Sequence, residues 1–345
     1  MCNIAGYVGN QPAAPILLEM LRRQEGLAGG YYTGIATIHE GKMYYAKLTG
    51  DVKRLEENTE AAKLPGTIGI IHSRSKSGGG DSWAHPFVRC QKGEVTEAYV
   101  ANGSVGCMAH RMEEFNQMAW QLLQEGYTMD SKLEIVRKGY PVLPDGSGVH
   151  MSDLMCQLIA RYMDKGKNVA EAMGEAFCEM PSEIVGLMLS LTDPNGIAWS
   201  RFNMPMNVAF ASHGAYLASA AIAMPEDAGE PMPLMPCAYG VVYADHFTTH
   251  RYENSPLTVA QLTAEVRGRA FEVICRELEE GPKYYGELHR KVKELFEPAD
   301  CMPSTLATYE VLYALKKAGK LKVEIETVEG AFEHLTAPKF VMHMV

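Results

Sequence analysis

The chain has 345 residues, 47% hydrophobic and 21% charged, with a formal net charge of −10. That length holds two domains, or one large domain with an appendage, and no run approaches the roughly 20 apolar residues a membrane span needs. Acidic excess without a long block of either sign argues against nucleic acid as the main ligand, since phosphate binding rests on clustered Lys and Arg.

Eight cysteines stand at 2, 90, 107, 156, 178, 237, 275 and 301, and no two form a C-x-x-C pair. Neither a zinc knuckle nor a redox pair is suggested. Scattered cysteines fit reduced, mostly buried thiols in a cytoplasmic protein. The N-terminus lacks the basic region and apolar core of a secretory signal. His246 and His250, four apart, have no Cys or carboxylate in motif spacing, so neither a metal nor another cofactor is expected.

The chain opens Met1-Cys2-Asn3-Ile4-Ala5-Gly6-Tyr7-Val8-Gly9. Removal of Met1 would give Cys2 both a thiol and a free α-amine. Such an amine titrates near ~8, so it can take the proton of its own side chain. The apolar run after Cys2 reads as a short buried strand that holds the cysteine at the sheet edge. Residues 12–25 follow as a helix, with Ile16, Leu17, Met20 and Leu21 at helical spacing. Runs 32–39 and 43–48 form a hairpin turning at Glu40-Gly41, and a short helix covers 52–58.

Strand 68–71 runs into His72-Ser73-Arg74-Ser75 and then a loop with three consecutive glycines, Gly78 to Gly80. An arginine at a strand end beside a permissive loop suits a planar clamp for a carboxylate; the plainer alternative is a surface ion pair. Strand 98–101 leads to Asn102-Gly103, and Met108, Met112, Phe115, Ala119 and Leu122 stripe a following helix. A side-chain amide and a backbone N–H from adjacent residues are the parts of an oxyanion hole; an Asn-Gly turn is the alternative.

Together these stretches resemble the class II glutamine amidotransferases of the N-terminal nucleophile hydrolase superfamily, in particular the glutaminase domain of glucosamine-6-phosphate synthase. The likeness rests on Cys2 to Gly9, His72-Ser73-Arg74, Ala84-His85-Pro86 and Asn102-Gly103, in order and at similar spacing. It continues through a helix at 153–162, a hairpin of 184–192 and 197–202 turning at 193–196, and a strand pair at 208–212 and 216–220. It implies an α+β fold, a four-layer αββα sandwich, over residues 2–245. Cys2 would be the nucleophile, Asn102 and Gly103 the oxyanion hole, Arg74 the holder of the glutamine α-carboxylate, and Ser77 a further substrate contact. Asn3, Ser75, Gly78 and Ala101 depart from the family's glycine, tryptophan, histidine and histidine. Met151 falls where the family has the aspartate that holds the substrate ammonium; Asp145 and Asp153 are the nearest acids.

Beyond 250 the pattern is helical. Phe271, Ile274, Cys275 and Leu278 form one stripe, and Leu288, Val292, Leu295 and Phe296 a second. Pro303-Ser304 opens a third helix to about 318, followed by strands at 320–326 and 331–336. Three helices and a hairpin resemble a winged helix. With thirteen Lys and Arg against fifteen Asp and Glu over 251–345, this domain (250–345) reads as a docking or dimerisation module. Three functions stay open: a glutaminase feeding ammonia to a separate synthase subunit, a stand-alone amide hydrolase with another γ-glutamyl-like substrate, and a non-catalytic binding protein.

Overall fold

The computed structural model describes residues 2–134, 139–297 and 301–345. From the N-terminus come strand β1 (Asn3–Gly9), helices α1 (Ala13–Arg22) and α2 (Glu25–Ala28), and the hairpin β2 (Tyr32–His39) and β3 (Lys42–Thr49). The hairpin turn puts Glu40 at φ 48° and Gly41 at φ 72°, a conformation glycine adopts without steric cost. Helix α3 (Val52–Asn58) follows, its cap formed where Asp51 accepts from the Arg54 backbone N–H at 2.9 Å. Strands β4 (Ile68–Arg74), β5 (Phe87–Gln91) and β6 (Glu94–Ser104) lead to helices α4 (Met112–Gln124), α5 (Met151–Asp164) and α6 (Val169–Glu179). Then come β7 (Glu183–Ser190), β8 (Asp193–Arg201), β9 (Asn207–Ala211), β10 (Gly214–Ala218), β11 (Met232–Pro233), β12 (Ala238–Val242) and β13 (His250–Arg251). The last part holds α7 (Ala264–Glu279), β14 (Lys283–Tyr284), α8 (Tyr285–Lys293), α9 (Ser304–Lys317), β15 (Leu321–Glu329) and β16 (Thr336–Met344).

Two antiparallel sheets dominate, ordered β11-β9-β10-β1-β4-β2-β3 and β13-β12-β8-β7-β6-β5. Period-two alternation explains how they stack. Ile4 and Val8 of β1 face inward and meet Val100, Leu187 and Trp199 of the second sheet. Ala5 and Tyr7 face the other way, against Leu17 and Leu21 of α1. The far side of the second sheet is covered by Phe115, Leu158, Met173 and Phe177 from α4, α5 and α6. The result is four layers, helix, sheet, sheet, helix. Each large aliphatic side chain so buried contributes about 1.5–3 kcal/mol.

Several local expectations shift. Cys2 does not lie at a sheet edge: β1 runs between β10 and β4 in the interior of its sheet. Asn102-Gly103 is not a turn, because both residues remain in β6 and pair with Val185 and Ile184 of β7. Residues 193–196, expected as a turn, lie within β8. Helix α6 was not foreseen, although Asn168 and Glu171 form a reciprocal capping box at its start. The first domain also extends past 245–250: β13 pairs with β12, and Tyr252 and Leu257 are buried in the second sheet's helical core.

The C-terminal part holds three helices and a sheet ordered β14-β16-β15. Its core is Ala270, Ile274 and Leu278 rather than Phe271, which is exposed. β16 begins at Thr336, so the second strand of the expected hairpin lies C-terminal to 331–336. This unit shares its core with Leu27, Ala220 and Ile222 of the sandwich. Lys316 Nζ also donates to the Ile222 carbonyl at 3.1 Å, and Asn203 Nδ2 to the Met302 carbonyl at 3.2 Å. No helix among the described residues is long and apolar enough to cross a membrane.

Candidate active site

Cys2 sits at the N-terminal end of β1 and is 8% exposed. Its backbone nitrogen donates to Asn102 Oδ1 at 2.9 Å, a bond between the two stacked sheets spanning 100 residues of sequence. The amide's other atom, Asn102 Nδ2, is buried and has no partner among the described residues. A buried donor left unpaired costs about 1–3 kcal/mol, so this arrangement is suited to an acceptor that arrives with a ligand. Gly103 follows on the same strand. A Cβ there would fall 2.2 Å from the Glu183 carbonyl and 2.8 Å from Ile184 Cα, so close approach of β7 requires glycine.

Cys2 and Gly103 line a cavity of about 410 Å³ together with Arg74, Ser77, His85 and His150. Arg74 ends β4 and is 2% exposed. Its guanidinium donates to the carbonyls of Trp83 at 3.0 Å and Gly78 at 2.9 Å. It lies 4.6 Å from the Tyr32 ring centroid and 5.5 Å from that of Trp83. No carboxylate pairs with it among the described residues, so the surface ion pair weighed for it does not form. A buried guanidinium held by neutral carbonyls retains its charge for an incoming anion. Ser77 donates to the Ser75 carbonyl at 3.2 Å.

Two imidazoles, His85 and His150, line the cavity, and a third, His72, packs behind His85. His72 and His85 stack with ring centroids 3.8 Å apart, and His85 meets His150 edge-on at 5.3 Å. Burial, then the Arg74 charge, pushes His72 down to about 3. Burial first also holds His85 and His150 well below the usual histidine range. All three are therefore neutral at pH 7. His72 Nε2 meets the Ala101 carbonyl at 3.0 Å and so carries the proton. His150 caps α5, its Nδ1 accepting from the Ser152 N–H at 3.1 Å, so its proton is on Nε2. His85 Nδ1 and Nε2, His150 Nε2 and His72 Nδ1 are buried without partners among the described residues. His150 drew no attention in the sequence; it lies three residues ahead of the helix expected from 153, and the observed helix starts directly after it. His85 was visible only as part of Ala84-His85-Pro86.

The two acids named for the substrate ammonium lie outside the cavity lining. Asp145 is exposed, paired with Lys132 at 2.5 Å and bonded to Ser147, which holds its carboxyl below the usual range. Asp153 is buried, accepting from the Ser131 N–H at 2.9 Å and Gln157 Nε2 at 3.3 Å. Burial pushes it up to about 6. The structure thus joins Cys2, Asn102, Gly103, Arg74 and Ser77, and leaves both aspartates committed elsewhere.

No family model matches the chain. Curated relatives do. The glutamine–fructose-6-phosphate aminotransferase (isomerizing) of Pyrococcus horikoshii is 25% identical over 94% of this chain and 54% of its own length. That of Agrobacterium fabrum is 26% identical over 82% of this chain and 43% of its own length. The Chlorobaculum tepidum protein of the same name is 26% identical, with 88% and 44% covered. The chain spans about half the length of the relatives it matches. Among solved structures, the glutamine phosphoribosylpyrophosphate amidotransferase of B. subtilis superposes with a TM-score of 0.59 at 14% identity, covering 94% of this chain and 66% of that one. The chain is thus similar in sequence, along most of its length, to glutamine–fructose-6-phosphate aminotransferases, and similar in fold to a glutamine amidotransferase.

Proposed function

We propose that the chain releases ammonia from the carboxamide of glutamine or a glutamine-like ω-amide through a thioester on Cys2. The observation that carries this reading is the Cys2 N–H held by Asn102 Oδ1 at 2.9 Å while Asn102 Nδ2 stays unpaired, beside a cavity lined by Arg74. With Met1 removed, the Cys2 amine takes the thiol proton and the thiolate attacks the amide carbon. Negative charge then builds on the amide oxygen, where Asn102 Nδ2 and the Gly103 N–H receive it. The C–N bond breaks, and the amine returns its proton to the leaving ammonia. Water adds to the thioester, the C–S bond breaks, and the acid leaves with the thiol restored. Arg74 would hold the substrate carboxylate and Ser77 would help to place it.

Ammonia would pass to an acceptor on a separate synthase subunit. The C-terminal unit, winged-helix-like in its order of elements, would serve as the docking module; its near-balanced charge and the exposed Ile325 on β15 support a protein partner over nucleic acid. The test begins with an intact mass showing that Met1 is gone. Ammonia and acid release from glutamine and from its ω-amide analogues is then measured for wild type and Cys2→Ala. Turnover lost in Cys2→Ala is expected. Turnover retained would exclude the thioester.

A further inference from the structure

We propose, building on the thioester reading, that the preferred substrate is an ω-carboxamide with a carboxylate but no α-ammonium: glutamine's analogue with a 2-oxo group or only hydrogens at C2. An amino-acid substrate is a zwitterion, and a site that desolvates it must match both charges. Arg74 supplies the cation for the carboxylate. Among the described residues no Asp or Glu lines the cavity, and the undescribed residues 135–138, next to the lining residues Gly139 and Tyr140, are Ile, Val, Arg and Lys.

The two carboxylates nearest Met151 in sequence are occupied. Asp153 is bound to Ser131 and Gln157, and Asp145 to Lys132 and Ser147. Glu183, which accepts from Asn203 Nδ2 at 3.2 Å through one oxygen and packs against Gly106, is not itself a lining residue. Met151, where the resemblance expects an acid, lines the cavity with a thioether. Beside it, His150 presents a donor: its Nδ1 is used by the Ser152 N–H, so the unpaired Nε2 carries hydrogen. Beside the Arg74 guanidinium and the His150 N–H, the cavity offers an ammonium no anionic partner, only the acceptor nitrogen of neutral His85, whereas it accepts a carbonyl oxygen or a methylene at C2.

The experiment has two readouts. Ammonia release by the processed full chain is compared for L-glutamine, glutaramate and 2-oxoglutaramate. Binding of the same three compounds is measured calorimetrically on Cys2→Ala, which cannot turn over. We expect kcat/KM at least about tenfold higher for a deaminated compound, the same order in binding, and a shift of at least tenfold toward L-glutamine in Met151→Asp. Parity or a preference for L-glutamine in either readout overturns the proposal and leaves the thioester reading standing. The expected order in binding, with no Cys2-dependent ammonia from any compound, keeps the specificity and removes the thioester reading.

Discussion

Replacing Asn102 with alanine separates catalysis from folding at this site. In the free protein, Oδ1 holds the Cys2 nitrogen at 2.9 Å and Nδ2 holds nothing among the described residues. Loss of Oδ1 leaves one buried N–H unpaired, a stability cost of about 1–3 kcal/mol. Loss of Nδ2 costs no bond in the ground state but removes a donor from the developing oxyanion, about 2.7–4 kcal/mol or 10²–10³ in kcat. The variant should therefore fold, bind substrate with little change in KM, and turn over at least about a hundredfold more slowly. Urea unfolding establishes the folded fraction, and single-turnover ammonia release on whichever ω-amide wild type consumes isolates acylation. A folded Asn102→Ala with kcat within about threefold of wild type would refute the assignment of Nδ2 to the oxyanion. Gly103 offers no equally clean probe, because a Cβ there would strike the Glu183 carbonyl.

Glu25 is buried between the Val52 N–H at 3.1 Å and the Ser73 hydroxyl at 3.4 Å, and burial, then Asp51, raises it from 4.5 to about 8. The folded state thus keeps a proton that the unfolded chain releases above about pH 4.5. Its contribution to stability is full at low pH and is lost as pH rises toward 8, at about 1.4 kcal/mol per pKa unit. Glu25→Gln should grow more stable relative to wild type between pH 5 and pH 8 in urea titrations; a constant difference would contradict the buried neutral acid. Phe340 of β16 is 4% exposed and lies so close to α2 that a Cβ on Gly26 would fall 2.1 Å from its ring. Phe340→Ala should cost about 3–5 kcal/mol, and a loss under about 1 kcal/mol would show that the C-terminal unit does not depend on this contact.

The elements most legible in the sequence were those whose pattern answers to immediate neighbours. The hairpin β2–β3 was placed by its two β-like runs and the Glu40-Gly41 turn between them, and α3 falls on the short helix expected at 52–58. Where the same signals are ambiguous, tertiary pairing decided. Asp193-Pro194-Asn195-Gly196 has turn composition yet continues β8, because β7 pairs with it as far as Asp193. Phe271 fits the apolar period of α7 but faces solvent, while Ala270 takes the buried position.

Cys2, Arg74 and Asn102-Gly103 could be named from sequence because each needs only its own side chain and a strand end to suggest its chemistry. Their meeting in one cavity depends on the stacking of two sheets, which brings residue 2 to residue 102. That no Asp or Glu lines that cavity among the described residues was also a tertiary matter. Asp145 and Asp153 are near Met151 in sequence, but one is drawn to Lys132 at the surface and the other to Ser131 in the interior. Sequence by itself determined which residues have the chemistry to act, because reactivity resides in the side chain. Only the tertiary structure decided which of them share a site and which are already satisfied, because hydrogen bonding and desolvation are set by neighbours distant in the chain.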